Sequence, residues 1–404
     1  MIELSRRRAL ALSSLAAAGL LSPIWRADSE TRIEGLRAAS ARFGLGLLIR
    51  LAEQGDAKKN RAVSPASIME IFALADIGAG PELHAALKAL FTLDSDGGFD
   101  ALRAAIARLN TGRNSNSPLV GMDAIYVDKQ FLIKESIRDA CVALHAPVTA
   151  RRLVDPDVVR EINARVRRAT RGAIPSIIDG PLSGSGMVLV NALYFKSSWQ
   201  QTFETKETRD TDFHLAGGGM KPIPMMQGGI QLLSAAQKDA FAAVRLPYEA
   251  NGYSLILVVN REKPAQIAEF RPVVRWLAGI GLSDYNVTLS VPRFSFNGGG
   301  DLLPALDAMG LAPARMRPHA FAGLSDAPLQ ISAVPHKVAI TVDEGGTTAA
   351  AATAIEAPTG TAPEPISIRS LDFIADKPFM FALHEDKTGL TLMVGYVGDP
   401  GETT

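Results

Sequence analysis

Across 404 residues there is one cysteine, Cys141. A single thiol closes no internal disulfide and supplies no paired-thiolate zinc site, so stability has to come from packing. Neither charge is in excess: 42 Lys and Arg balance 42 Asp and Glu. That removes the field that would draw nucleic acid or an anionic membrane. Beyond the first thirty residues no apolar run reaches the roughly 18 to 20 residues that cross a bilayer. Ser183 and Ser185 lack the Gly-x-Ser-x-Gly order of a hydrolase nucleophile. His84, His145, His214, His319 and His384 show no metal-ligand spacing. No Lys-Ser or Lys-Thr pair follows Gly298-Gly299-Gly300, which reads as a turn. These absences argue against a hydrolase nucleophile loop, a phosphate cradle, a metal site and a nucleic-acid partner, and no cofactor is expected. What is present is 47% hydrophobic and 21% charged, the profile of a globular protein with a large core.

Ser5-Arg6-Arg7-Arg8 precedes an uncharged run from Ala9 to Leu21, the charge and length profile of an export signal. Two routes fit it: a twin-arginine signal, which carries folded proteins, and an ordinary secretory signal. Small residues at Ala18 and Ala27 offer two cleavage sites. The expectation is an export signal over residues 1–27 and a mature protein free of the membrane, periplasmic or extracellular.

Apolar residues at helical spacing predict helices over Glu34–Arg50, from Ser64-Pro65 through Ile77, over Ala101–Leu109 and over Val158–Arg168, with Ser64 or Ser67 capping the second. One strand, Gly121–Val127, interrupts them. After residue 185 β-branched and aromatic runs dominate: Met187–Phe195, Ala243–Pro247, Tyr253–Val259, Asn286–Phe296, Val338–Val342, Leu371–Ile374, Phe379–His384 and Leu390–Val397. The last two close around Gly389 as a hairpin. Helices first and strands later predict an α+β fold, and with no proline-rich linker inside it, one domain over residues 34–400.

The run from Glu344 to Pro365 holds one bulky apolar side chain, Ile355, and cannot bury much by itself. It lies between two strand-like stretches, where so long a segment tends to be functional. Extended, it would turn Thr347, Ala349, Ala351, Thr353 and Ile355 to one face and Thr348, Ala350, Ala352, Ala354 and Glu356 to the other. Such a strand of small residues could slide between two existing strands. About ten new backbone hydrogen bonds, each worth roughly 0.5–1.5 kcal/mol, would contribute on the order of 10 kcal/mol, comparable to the whole stability of a domain.

Val190-Asn191-Ala192-Leu193-Tyr194-Phe195-Lys196, Trp199 and Phe203, Pro224-Met225-Met226 and Leu246-Pro247-Tyr248 together resemble the central signature of the serpins, inhibitors of serine proteases. His336-Lys337 leading into Thr341-Val342-Asp343-Glu344-Gly345-Gly346-Thr347 and the alanine run is similar to the serpin hinge. Asp376-Lys377-Pro378-Phe379 and Val394-Gly395-Tyr396-Val397 match that family's last strands. The resemblance covers roughly residues 34–400 in order. It implies the serpin fold: helices on a large mixed sheet, further sheets, and an exposed reactive-centre loop over about 344–370. It also implies a monomer that acts as a suicide inhibitor and supplies no catalytic residue of its own. A target serine protease forms a covalent acyl complex at the loop, which then inserts into the main sheet; loop insertion as strain release is a known behaviour of serpins.

Residue by residue, the resemblance implies a hinge of Glu344, Gly345, Gly346, Thr347, Thr348, Ala349, Ala350, Ala351 and Ala352. A sheet-opening cluster would comprise Ser64, Ser67, Asn191 and His336, and Trp199 would stand where the loop first enters. The scissile bond is expected at Gly360-Thr361. Between Ile355 and Pro365 there is no Arg, Lys or aromatic residue, which argues for a protease with a shallow primary pocket, of elastase or subtilisin type. A non-inhibitory serpin acting as a binding or chaperone-like protein is the alternative. The small hinge residues favour inhibition.

Overall fold

The computed structural model describes residues 23–93, 98–111, 117–135, 138–139, 148–182, 186–250, 252–347 and 368–402. Cys141, His145, Ser183, Ser185, the export segment up to Leu21 and the run Thr348 to Ser367, with Gly360 and Thr361, lie outside the described residues.

The predicted helices are present. The first, Pro23–Glu53, is longer at both ends than expected and contains Ala27, one of the two candidate cleavage sites. In the second, Pro65–Ala75, the Ser64 side chain accepts from the Ser67 N–H and Pro65 stands at the first turn, where its missing N–H costs nothing. Helices Gly98–Thr111 and Pro156–Ala169 follow, with Pro81–Leu90 as an addition. No described helix is long and apolar enough to cross a membrane.

The strands form two sheets among the described residues. One carries β1 (Arg61–Val63), β6 (Arg209–His214), β7 (Met220–Lys238), β8 (Phe241–Pro247), β9 (Tyr253–Asn260), β10 (Ser283–Pro292), β15 (Ser370–Ile374), β16 (Phe379–Glu385) and β17 (Leu390–Val397). The other is built on β2 (Leu119–Asp128), β3 (Val148–Arg151), β4 (Met187–Phe195) and β13 (Pro335–Asp343). It is completed by β5 (Ser197–Ser198), β11 (Phe294–Asp301), β12 (Ile331–Ala333) and β14 (Gly346–Thr347). With helices on mixed sheets, this is the α+β fold that the order of elements predicts.

Two readings need correction. The expected strand Asn286–Phe296 is two strands in different sheets, split after Pro292. Pro292 has no N–H to continue a ladder, and Arg293 makes the crossover with its N–H on the Pro224 carbonyl, 3.0 Å away. Gly298-Gly299-Gly300 is no turn: it lies in β11, paired with Val338, Lys337 and His336. At Gly299, with φ +153°, a Cβ would stand 2.0 Å from the His336 carbonyl oxygen, so the run marks a close backbone approach.

The faces of the second sheet differ. Met187, Leu189, Leu193, Val338, Ile340 and Val342 point into the main core, packed with residues such as Ile68 and Phe72 of the Pro65–Ala75 helix. Val188, Val190, Ala192, Tyr194 and Ala339 point the other way, under Val158, Ile162 and Val166 of the Pro156–Ala169 helix. Alternate residues of β4 are thus committed to opposite faces, and all nine are buried.

Candidate functional site

The site begins at the seam between β4 and β13. These strands run parallel and pair His336 with Asn191, Lys337 with Ala192, Val338 with Leu193 and Ala339 with Tyr194. A parallel seam is somewhat weaker per residue than an antiparallel one. Beneath it the four expected sheet-opening residues come together. The Ser64 N–H donates to Nε2 of His336 at 3.0 Å, the Ser64 and Ser67 hydroxyls lie 2.9 Å apart, and Nδ1 of His336 meets Oδ1 of Asn191 at 2.5 Å.

That geometry assigns the tautomer. Nε2 accepts, so Nδ1 carries the proton and donates to Asn191. Asn191 in turn donates to Asp123. All four residues of the cluster are at most 1% exposed. Burial pushes the His336 imidazole down to about 3, which keeps it neutral at physiological pH.

Above the cluster the seam is no longer closed by β4 and β13 alone. After Asp343 the chain turns through Glu344 and Gly345. The two residues of β14 then lie between β13 and β5, which continues β4, and run antiparallel to both. The register pairs Thr347 with Val342 and with Ser197, and Gly346 with Asp343 and with Ser198. Of the expected exposed loop, Gly346 and Thr347 are therefore buried in the sheet, and Glu344 is buried in the turn that leads to them. Gly346 has φ +145°, and a Cβ there would lie 2.3 Å from the Ser197 carbonyl oxygen, so only glycine fits.

Trp199, expected where the loop enters, lies against this turn. Its Nε1 donates to the Asp343 carbonyl and its backbone N–H to the Gly345 carbonyl, both at 2.9 Å, while the Phe203 N–H takes the Glu344 carbonyl at 2.9 Å. Three successive hinge carbonyls are thus held by one segment. The Trp199 ring stacks on Tyr248 at 4.5 Å between centroids, and the Tyr248 hydroxyl meets that of Thr347 at 2.6 Å.

Arg293 contacts Glu344 through Nε at 2.8 and 2.9 Å and through a second nitrogen, and Thr208 donates to the same carboxylate. Burial alone would raise the Glu344 carboxyl, but the bonds from Arg293 and Thr208 outweigh it and hold the group below its ordinary value. Asp343 next door is pushed up by burial, although its Oδ1 accepts the Gly345 and Gly346 N–H groups at 2.9 and 3.2 Å.

The sequence reading assigned no role to Tyr248, Arg293, Thr208 or Asp343. The signal for Arg293 was a charge directly after Val291-Pro292 in an otherwise alternating strand. Of the predicted hinge, Glu344 to Thr347 are described; Thr348 and Ala349 to Ala352 are outside the described residues. Among the described residues, no group of His, Cys, Asp or Glu could hold a metal ion.

A two-residue strand started at one end of a parallel seam, over a buried histidine cluster, in an α+β fold of this topology defines the serpin class. Residues 38–400 match the family model for serpins, serine protease inhibitors, and the chain belongs to that family. It is 25% identical over 392 residues to heparin cofactor 2 of Rattus norvegicus, covering 93% of this chain and 80% of the relative. It is 26% identical over 367 residues to alpha-1-antiproteinase S of Cavia porcellus, covering 87% of this chain and 88% of the relative. The Arabidopsis serpin AtSerpin1, solved in a native stressed conformation, superposes with a TM-score of 0.77 at 22% identity, covering 95% of this chain and 100% of that one. As a family member the chain is a protease inhibitor and not an enzyme.

Proposed function

We propose that this serpin traps serine proteases of elastase or subtilisin type by a suicide mechanism. A protease attacks the loop, with Gly360-Thr361 as the scissile bond. Its catalytic serine forms an ester with the Gly360 carbonyl, and the amine of Thr361 leaves with the proton relayed by the protease's own base. The loop then enters the sheet before water completes hydrolysis, and the ester is stranded.

The observation that carries this reading is the register of β14. Thr353 is six positions beyond Thr347, and six positions back from Val342 and Ser197 stand His336 and Asn191. Those two residues already face each other across the seam. Two independent registers therefore converge on one line, along which the loop would extend without a slip and bring the Thr353 hydroxyl between Asn191 and His336. The odd-numbered face, Ala349, Ala351, Thr353 and Ile355, would follow Thr347 toward the main core. The alanines of the even face would pass beneath the Pro156–Ala169 side. Insertion would replace one parallel seam with two antiparallel ladders, the direction in which pairing strengthens.

The test is a mixture with subtilisin or pancreatic elastase, read by denaturing gel and by mass spectrometry of the released peptide. The reading predicts an SDS-stable complex and a cut between Ile355 and Pro365. Cleavage at Arg369 would overturn the specificity, and clean digestion without complex would overturn the trap. The protein acts as a monomer in the periplasm or outside the cell, in keeping with the Arg6-Arg7-Arg8 segment. Export unchanged on replacing Arg6 and Arg7 by Lys would refute the twin-arginine route.

A further inference from the structure

The turn that starts β14 is a two-residue β-hairpin loop: Asp343 pairs with Gly346, and Glu344 and Gly345 form the tip. Short hairpin loops fix the register of everything beyond them, but the favoured ones draw on residues that tolerate positive φ. Here one side chain closes the turn. Oδ1 of Asp343 accepts the N–H of Gly345 at 2.9 Å and that of Gly346 at 3.2 Å. An Asp that bonds backbone two and three residues on is a turn clamp. Its own carbonyl is taken by Trp199 Nε1, so that contact survives substitution of the side chain.

Trp199, Phe203 and the Arg293–Glu344 pair hold the turn from outside, and beyond it the stub is two residues long. Thr347 is anchored by the Tyr248 hydroxyl, and Gly346 can have no side chain. The loop must start its run into the sheet from this stub. Forming a turn and its first pairs is the slow part of building any hairpin; each later pair adds to an existing edge.

We propose that the Asp343 carboxylate is the positioning residue that keeps β14 docked, so that the reactive loop inserts by extending a hairpin whose turn already exists. This rests on the trapping function proposed above and deepens it. Undocking has two opposite consequences. The top of the seam between β13 and β5 becomes open to a foreign strand, while the chain's own loop loses its nucleus and inserts more slowly.

The experiment compares the intact full chain with Asp343→Ala and Asp343→Asn. Asparagine keeps the acceptor oxygen; alanine removes it. The first readout is uptake of a synthetic peptide of residues Thr347 to Glu356, followed by the rise in urea resistance. The second is the fraction of chain captured as SDS-stable complex with subtilisin. For loss of a net bond of ordinary strength, Asp343→Ala takes up peptide about fivefold faster and gives a correspondingly smaller captured fraction, with more cleaved chain. Asp343→Asn stays close to the wild type in both.

A sheet that was merely loosened would speed peptide uptake and loop insertion together, so the opposed directions are diagnostic. Peptide uptake by Asp343→Ala at the wild-type rate, or equal acceleration in Asp343→Asn, overturns the clamp. A wild type that neither captures subtilisin nor gains thermal stability when nicked overturns the trapping function instead, and the clamp falls with it.

Discussion

The hydroxyls of Tyr248 and Thr347 meet at 2.6 Å in the interior, a side-chain bond that ties the stub strand to the first sheet's β8–β9 turn. Thr347 is wholly buried and Tyr248 is 3% exposed, and burial raises the phenol, which therefore stays protonated. Tyr248→Phe removes the partner and leaves a buried hydroxyl unsatisfied, at a cost of about 1–2 kcal/mol. The urea midpoint of the intact protein is expected to fall accordingly, and ring stacking on Trp199 is expected to persist.

The ion pair of Arg293 with Glu344 has one sheltered and one half-exposed member: their side chains are 41% and 10% exposed. Arg293→Ala leaves the carboxylate with Thr208 and its own backbone N–H, and the intact protein is expected to lose roughly 1–3 kcal/mol, discounted from a fully buried pair for solvent access. Because the folded Glu344 carboxyl sits below its ordinary value, the stabilisation is present above the unfolded pKa and is lost as pH falls through the lower, folded one. The difference between wild type and Arg293→Ala in urea titrations should therefore shrink on acidification.

Two buried histidines give a second pH dependence. Burial holds His336 at about 3 and His384 at about 4, both below the ordinary 6.5. A depressed folded value means that the unfolded chain takes up the proton first. Stability is full above pH 6.5 and declines as pH falls from there toward 4, by up to about 1.4 kcal/mol per pH unit for each group. His336→Gln should remove about one proton from the slope of unfolding free energy against pH. An unchanged slope would show that His336 is already charged in the folded protein.

Much of this was legible beforehand, and the exceptions have physical causes. Met187–Phe195 was read to the residue, because a mostly apolar run, interrupted only by Asn191, ends at a charge, Lys196. β7 escaped notice because Pro222, Pro224, Gly228 and Gly229 interrupt its alternation. β10 and β11 fused into one because the break is short: alternation changes phase from Val287, Leu289 and Val291 to Phe294 and Phe296 across Pro292 and Arg293 alone. The cluster of Ser64, Ser67, Asn191 and His336 came from likeness to a family, since nothing local in the sequence joins positions 272 residues apart. Arg293, Tyr248 and Thr208 were out of reach for the same reason: each acts across 51, 99 or 136 residues on a segment it meets only in the fold.

Gly346 offers a sharp steric test. A Cβ at that position would overlap the Ser197 carbonyl oxygen and the Ser198 Cα, both backbone atoms that cannot rotate away. Gly346→Ala is expected to expel β14 from the sheet, and limited proteolysis should then cut next to Thr347 at least about tenfold faster than in the wild type, in proportion to the open population.

The central claim is that the folded chain holds a seam that is more stable with one more strand in it. The most direct measurement is the urea midpoint of the full chain before and after a single cut between Ile355 and Pro365, with both pieces retained. The account predicts that the nicked protein withstands markedly more urea than the intact one, since two antiparallel ladders replace one parallel seam. A midpoint that stays the same or falls after the cut would contradict it.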